Sequence, residues 1–101
     1  MKYEISRESG KAVLHMHGQL VFTDRDSVDS ILPNVFQPGI GEVEVDLKDL
    51  EYMDSSGLGM LLTLREQARI HNAVVSISCS KGNIMEMLEL AHFELLFEIK
   101  H

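Results

Sequence analysis

Three short stretches of this chain alternate apolar and polar residues with period two, and each is followed by an apolar stripe of helical spacing. Ala12, Leu14 and Met16 alternate with Val13, His15 and His17; Val43, Val45 and Leu47 with Glu42, Glu44 and Asp46; Val75, Ile77 and Cys79 with Ser76 and Ser78. The stripes are Val28-Ile31-Leu32-Val35, Leu58-Leu61-Leu62-Leu64 and Ile84-Met87-Leu88-Ala91. Strand, helix and strand in succession impose parallel, right-handed crossovers. Helices on both faces would require strands that are apolar throughout, and alternation says otherwise. The pattern therefore predicts an α/β domain with a mixed sheet, helices mainly on one face and the other face largely wet.

The remaining punctuation completes the order β-β-α-β-α-β-α-β. Tyr3-Glu4-Ile5 reads as a weaker strand, joined to the next by a hairpin turn at Glu8-Ser9-Gly10-Lys11. Thr23-Asp24-Arg25-Asp26 reads as a capping box opening the first helix, and Pro33 predicts that this helix ends or kinks near Leu32. Gln37 to Gly41 is loop. Asn72 suits a left-handed helix stop, Asn83 with Glu86 suits the start of the third helix, and Phe93 to Ile99 is the expected last strand. With 101 residues, two prolines and no repeat, residues 1–101 form one domain.

Charge and cysteine usage narrow the partners. A net charge of -7 argues against nucleic acid or an anionic membrane as the main partner. The lone cysteine, Cys79, permits neither an internal disulfide nor a cysteine zinc site, and its place on an apolar strand face makes it a core residue. Met1-Lys2-Tyr3-Glu4 does not read as a leader, and no apolar run approaches the ~18 residues of a membrane span. The expectation is a cytoplasmic protein without direct membrane insertion.

The chemistry concentrates at Asp54-Ser55-Ser56-Gly57-Leu58-Gly59, where a strand gives way to the leucine-rich helix. Helix starts leave backbone N–H groups unpaired and favour negative charge. A phosphate attached to either serine would thus be held by its own helix. The plainer reading is a good helix start, with Ser55 or Ser56 as N-cap and glycines easing the turn. Enzyme motifs fail on spacing. A nucleophile elbow needs glycines two residues either side of its serine, but Ser55 has Met53 and Gly57, and Ser56 has Asp54 and Leu58. A dinucleotide fingerprint would need glycine where Leu62 stands. A hydrolase would further need His15, His17 or His92 beside the serine, and no metal or cofactor motif is present. His15 and His17 read as solvent-face residues, the acidic run Glu42, Glu44 and Asp46 as a solvated strand face, and the methionines as core fillers.

The stretch Leu50-Glu51-Tyr52-Met53-Asp54-Ser55-Ser56-Gly57-Leu58-Gly59 resembles the signature of STAS domains, the family of anti-sigma factor antagonists. Length and element order match that family from end to end. The resemblance implies a bacterial, non-enzymatic signalling protein whose phosphoacceptor is Ser55, with Ser56 the alternative. Unphosphorylated, such a protein binds a serine kinase that is also an anti-sigma factor, and frees the kinase's other client to act in transcription. A serine phosphatase resets it. Asp54 would orient the hydroxyl, and Gly57 and Gly59 would keep the helix start open to the partner. The contact surface would join Ser55 to Gly59 with the loop Val21 to Arg25, Thr23, Asp24 and Arg25 included. A second role within the family is a subunit of a membrane lipid-transport complex docked on its ATPase. Two positions depart from the family pattern. Val21 stands where many members carry aspartate, and His92 falls where glycine is common, so the backbone is expected to differ there.

Overall fold

Ser9 and Gly10 both take positive φ, 50° and 80°. That is the requirement of the tight two-residue hairpin, and it joins β1 (Lys2–Glu8) to β2 (Lys11–Leu20) in antiparallel register. The computed structural model describes residues 1–101. After β2 come a 3₁₀ turn (Phe22–Asp24), α1 (Arg25–Val35), β3 (Glu42–Asp46), β4 (Leu50–Met53) and α2 (Ser55–Ile70). The chain continues through β5 (Val74–Ser78), α3 (Asn83–Leu90), a second 3₁₀ turn (Phe93–Leu95) and β6 (Glu98–Lys100). The sheet runs β1-β2-β3-β5-β6, every pair after the first being parallel. The expected α/β layout holds, with one strand more than periodicity reveals.

That strand is β4, and it matters because it divides β2. Lys11 to His15 pair with β3, whereas Gly18 to Leu20 pair with β4 across a bulge between Gly18 and Gln19. Gly18 sits at φ 76°, a conformation that costs glycine little. The bend carries the end of β2 to the C-terminal end of β4, directly before the Asp54 motif.

One face of the sheet and the three helices share a single core. Leu14, Val45 and Ile77 from the strands meet Val28, Ile31 and Val35 of α1, Met60, Leu61, Leu64 and Ala68 of α2, and Ile84, Met85 and Leu88 of α3. Leu62 and Ala91, assigned to apolar stripes from sequence, are exposed instead. Pro33 does not end α1. It removes one hydrogen bond from the last turn, but Val35 and Phe36 are buried and Phe36 N–H closes on Leu32 O at 2.9 Å. The helix starts also differ from expectation. Thr23 caps nothing, α1 begins at Arg25 behind the 3₁₀ turn, and Gly82 rather than Asn83 precedes α3. Phe93 to Leu95 form a turn, so β6 is only three residues long. His92 keeps the left-handed conformation (φ 57°, ψ 39°) without a glycine, and Asn72 does likewise at φ 56°.

The opposite face is less wet than the alternation suggests. Asp46, Ser76 and Ser78 are buried, and Asp46 and Ser78 pair with groups on neighbouring strands. His15 Nδ1 donates to Asp46 Oδ2 at 2.9 Å, and His17 Nε2 lies 3.1 Å from Glu4 Oε1. Glu44 accepts from Ser78 Oγ and lies 3.0 Å from Lys11 Nζ. The Ser78 hydrogen bond, then the Lys11 contact, hold the Glu44 carboxyl down at about 2 against an ordinary 4.5. A carboxylate depressed in the folded state adds stability that is fully present above pH 4.5 and disappears as pH falls through about 2. Glu44→Gln is therefore expected to lower stability at neutral pH and to flatten the acid limb between those values, read by urea unfolding at a series of pH values. An acid limb as steep as wild type would remove Glu44 from the acid sensitivity.

Candidate functional site

Asp54, not a serine, is the N-cap of α2. Its backbone is extended (φ -91°, ψ 179°), and its Oδ1 accepts from Ser56 N–H at 2.9 Å and Gly57 N–H at 3.3 Å. Aspartate is among the best residues for this position because its carboxylate meets both the unpaired donors and the positive pole. The other oxygen reaches across to the loop after β2, where Asp54 Oδ2 accepts from Phe22 N–H at 3.1 Å. Asp54 N–H donates to Leu20 O at 3.3 Å. One carboxylate thus fastens the start of α2 to the segment leading into α1, and the pairing of β4 with β2 makes that possible.

Relieved of capping, the two serines differ in access. Ser55 is the first residue of α2 and is exposed, whereas Ser56 is half-buried. The expectation that helix-start N–H groups would receive a phosphate needs correction, because Asp54 already occupies those of Ser56 and Gly57.

The glycines have separate reasons. Gly57 is buried, and a Cβ there would lie 2.2 Å from Met53 Cγ, 2.6 Å from Met53 Sδ and 3.2 Å from Leu20 O. Its space is taken by this chain's own β2 and β4, rather than kept open for a partner. Gly59 meets only Arg25, whose Nη2 would be 3.5 Å from an added Cβ. Leu58 is partly buried against the core.

The loop Val21 to Arg25 is brought beside the motif, as expected, but its members play unequal parts. Asp24 is buried and turned inward, accepting from Val21 N–H and from the Met1 ammonium, each at 2.8 Å. Burial alone would raise its pKa; the ammonium and the Val21 hydrogen bond outweigh this and leave it lowered. Asp24 therefore shapes the loop and leaves only a small part of its surface exposed. Thr23 and Arg25 are exposed. Two exposed aromatics flank the motif that charge and spacing did not single out as site residues: Phe22, 67% exposed, and Tyr52, 53% exposed. Tyr52 lines a groove of about 260 Å³ with Ile84, Met87 and Leu90. Large exposed aromatics at one end of a sheet are the signal that could have marked them.

Cys79 is buried, and burial followed by the charge of Asp46 pushes its thiol up, away from thiolate chemistry. No helix is long and apolar enough to cross a membrane.

Comparison with known proteins fits this geometry. The STAS domain model matches residues 2–101. A STAS-domain containing protein of Pseudomonas aeruginosa (strain UCBPP-PA14) is 44% identical over 55 residues, a stretch covering 54% of this chain and 54% of that relative. The match thus spans about half the length of that curated relative. An anti-sigma factor antagonist from Mycobacterium paratuberculosis superposes with a TM-score of 0.86 at 14% identity, covering 98% of this chain and 84% of its own. Unphosphorylated SpoIIAA, also an anti-sigma factor antagonist, gives 0.75 at 14% identity over 99% of this chain and 88% of its own. A sulfate transporter family protein from Wolinella succinogenes gives 0.76 at 14% identity over 93% and 80%. The structural likenesses establish the fold, and the family model covers it from β1 to the last strand: the chain belongs to the STAS domain family.

Proposed function

We propose that this domain is a phosphorylation-gated partner-switching protein, an anti-sigma factor antagonist, with Ser55 as phosphoacceptor. The observation that carries the reading is the exposed Ser55 hydroxyl on a platform fixed by Asp54, whose carboxylate takes three backbone N–H groups and leaves the serine free of capping. SpoIIAA is known in a phosphorylated form, which supports the idea that this fold accommodates such a group. In the reaction, Ser55 Oγ attacks the γ-phosphorus of ATP held by a serine kinase. The new O–P bond forms as the bond to the bridging oxygen breaks, ADP departs, and the hydroxyl proton passes to a base of the kinase. A serine phosphatase later hydrolyses the ester. The domain is thus a substrate and a ligand rather than a catalyst, and it needs no cofactor or metal.

The unphosphorylated surface would combine exposed Ser55, Phe22, Tyr52 and Arg25. Aromatics and arginine are the residues that anchor interfaces. The test is capture from the native cells with Ser55→Ala and Ser55→Asp as baits. The expected result is an ATP-dependent serine kinase retained by the first and largely lost from the second. Equal retention of a membrane transporter's ATPase by both would instead establish a fixed transport subunit.

A further inference from the structure

Phosphorylation of Ser55 poses an electrostatic problem. The new group carries about -1.5 to -2 charge. It would stand next to the Asp54 carboxylate, on a chain of net charge -7. Asp54 also holds the Ser56 and Gly57 N–H groups that would otherwise neutralise an anion at this helix start. A cation beside the ester would offset the added charge, and one is close. Ser55 and Gly59 are four residues apart on α2 and so share a face, with Cβ positions about 5–6 Å apart. Helical side chains lean toward the N-terminus, so a side chain at 59 would lie over the turn that contains Ser55. In this chain the Arg25 guanidinium is beside that space, Nη2 standing 3.5 Å from the Gly59 Cβ position. None of the chain's ion pairs involves Arg25.

We propose that Arg25 is an internal phosphate receptor, its guanidinium lying against Gly59 in the unphosphorylated domain and pairing with phospho-Ser55 once the ester forms. This rests on Ser55 being the acceptor. Its consequence is a switch with two coupled parts. The partner meets a new negative charge, and at the same moment loses Arg25, an exposed cation drawn back onto its own domain. Arginine suits the task because its planar fork binds phosphate oxygens in pairs and stays charged at every relevant pH. Leaving position 59 without a side chain keeps the path between Arg25 and Ser55 clear.

The test needs no kinase. The full chain is prepared with phosphoserine incorporated at position 55, and its phosphorus resonance is followed against pH. The charged neighbours that bear on it are Asp54, which raises the phosphate's second pKa, and Arg25, which lowers it. In wild type that pKa is expected below its value in Arg25→Gln, by on the order of one unit for an opposite charge within ~4–6 Å. Gly59→Leu, which blocks the guanidinium while leaving its charge on the chain, is expected to match Arg25→Gln. Arg25→Lys should recover part of the shift. Identical titrations in wild type, Arg25→Gln and Gly59→Leu would overturn the proposal and leave the switching role standing. A wild-type shift in a protein that no kinase binds would uphold the receptor while removing the switching role.

Discussion

Phosphate on Ser55 is expected to weaken binding to the captured kinase by about 100-fold, with the fold unchanged. The arithmetic starts from like-charge apposition across an interface, of order 3 kcal/mol, at ~1.4 kcal/mol per tenfold in affinity. The unphosphorylated surface is already acidic around Asp54 and Glu51, so any partner that accepts it has matched that charge closely. A carboxylate carries only about half to two-thirds of the charge of a phosphate and lacks its third oxygen, so Ser55→Asp should weaken binding only about tenfold. Within the domain the strain is small. Ser55 is exposed and is not the cap, so modifying it leaves the Asp54 hydrogen bonds in place. Calorimetric titration of the three forms gives the affinities, and their thermal midpoints should stay within a few degrees of each other. A phosphorylated form that unfolds, or that binds as tightly as the unmodified protein, would contradict this view of the switch.

Alanine at the two glycines of the motif should act in opposite directions. In a helix interior, glycine to alanine commonly gains about 0.5–1 kcal/mol through backbone entropy. Gly59→Ala should realise most of that, since an added Cβ meets only a flexible guanidinium at ordinary contact distance. Gly57→Ala should instead destabilise by about 1–3 kcal/mol, the usual range for overpacking. Its Cβ would overlap Met53 Cγ and Sδ, and Met53 is 2% exposed, so its side chain must repack against its neighbours to make room. Leu20 O at 3.2 Å crowds the same Cβ, and moving α2 outward to relieve both contacts would stretch the Asp54 hydrogen bond to Phe22. Urea unfolding of both variants measures the contrast. Equal shifts of the same sign would show that propensity, rather than the seat of α2 on β4, governs this turn.

These two residues show what the sequence can and cannot convey. The one-sided strands β2, β3 and β5 and most of their helices are legible because burial on a single face imposes period two on strands and about 3.6 on helices. The hairpin at Ser9-Gly10 is legible for its turn chemistry. Strand β4 is not, because Leu50 and Met53 are buried while Glu51 and Tyr52 are exposed, and a four-residue segment of that form matches no period. The site depends on that strand. The pairing of Leu20 with Met53 sets Asp54 against Phe22, thirty-two positions away in sequence. Local capping rules name aspartate and serine alike, so the choice of Asp54 over Ser55 as cap was decided by this tertiary contact. Asp24 went the same way: read locally as part of a helix cap, it is buried against the amino terminus. Glu44 and Asp46 look like a wetted face until Ser78, Lys11 and His15 arrive from neighbouring strands.

The most direct measurement is peptide-mapped mass spectrometry of the protein isolated from its native cells, during growth and under stress. The expected result is phosphate on Ser55, absent from Ser56, with an occupancy that changes between conditions. Ser55 unmodified in every condition would contradict the phosphorylation-gated switch and leave Asp54, Phe22 and Tyr52 as parts of a permanent interface.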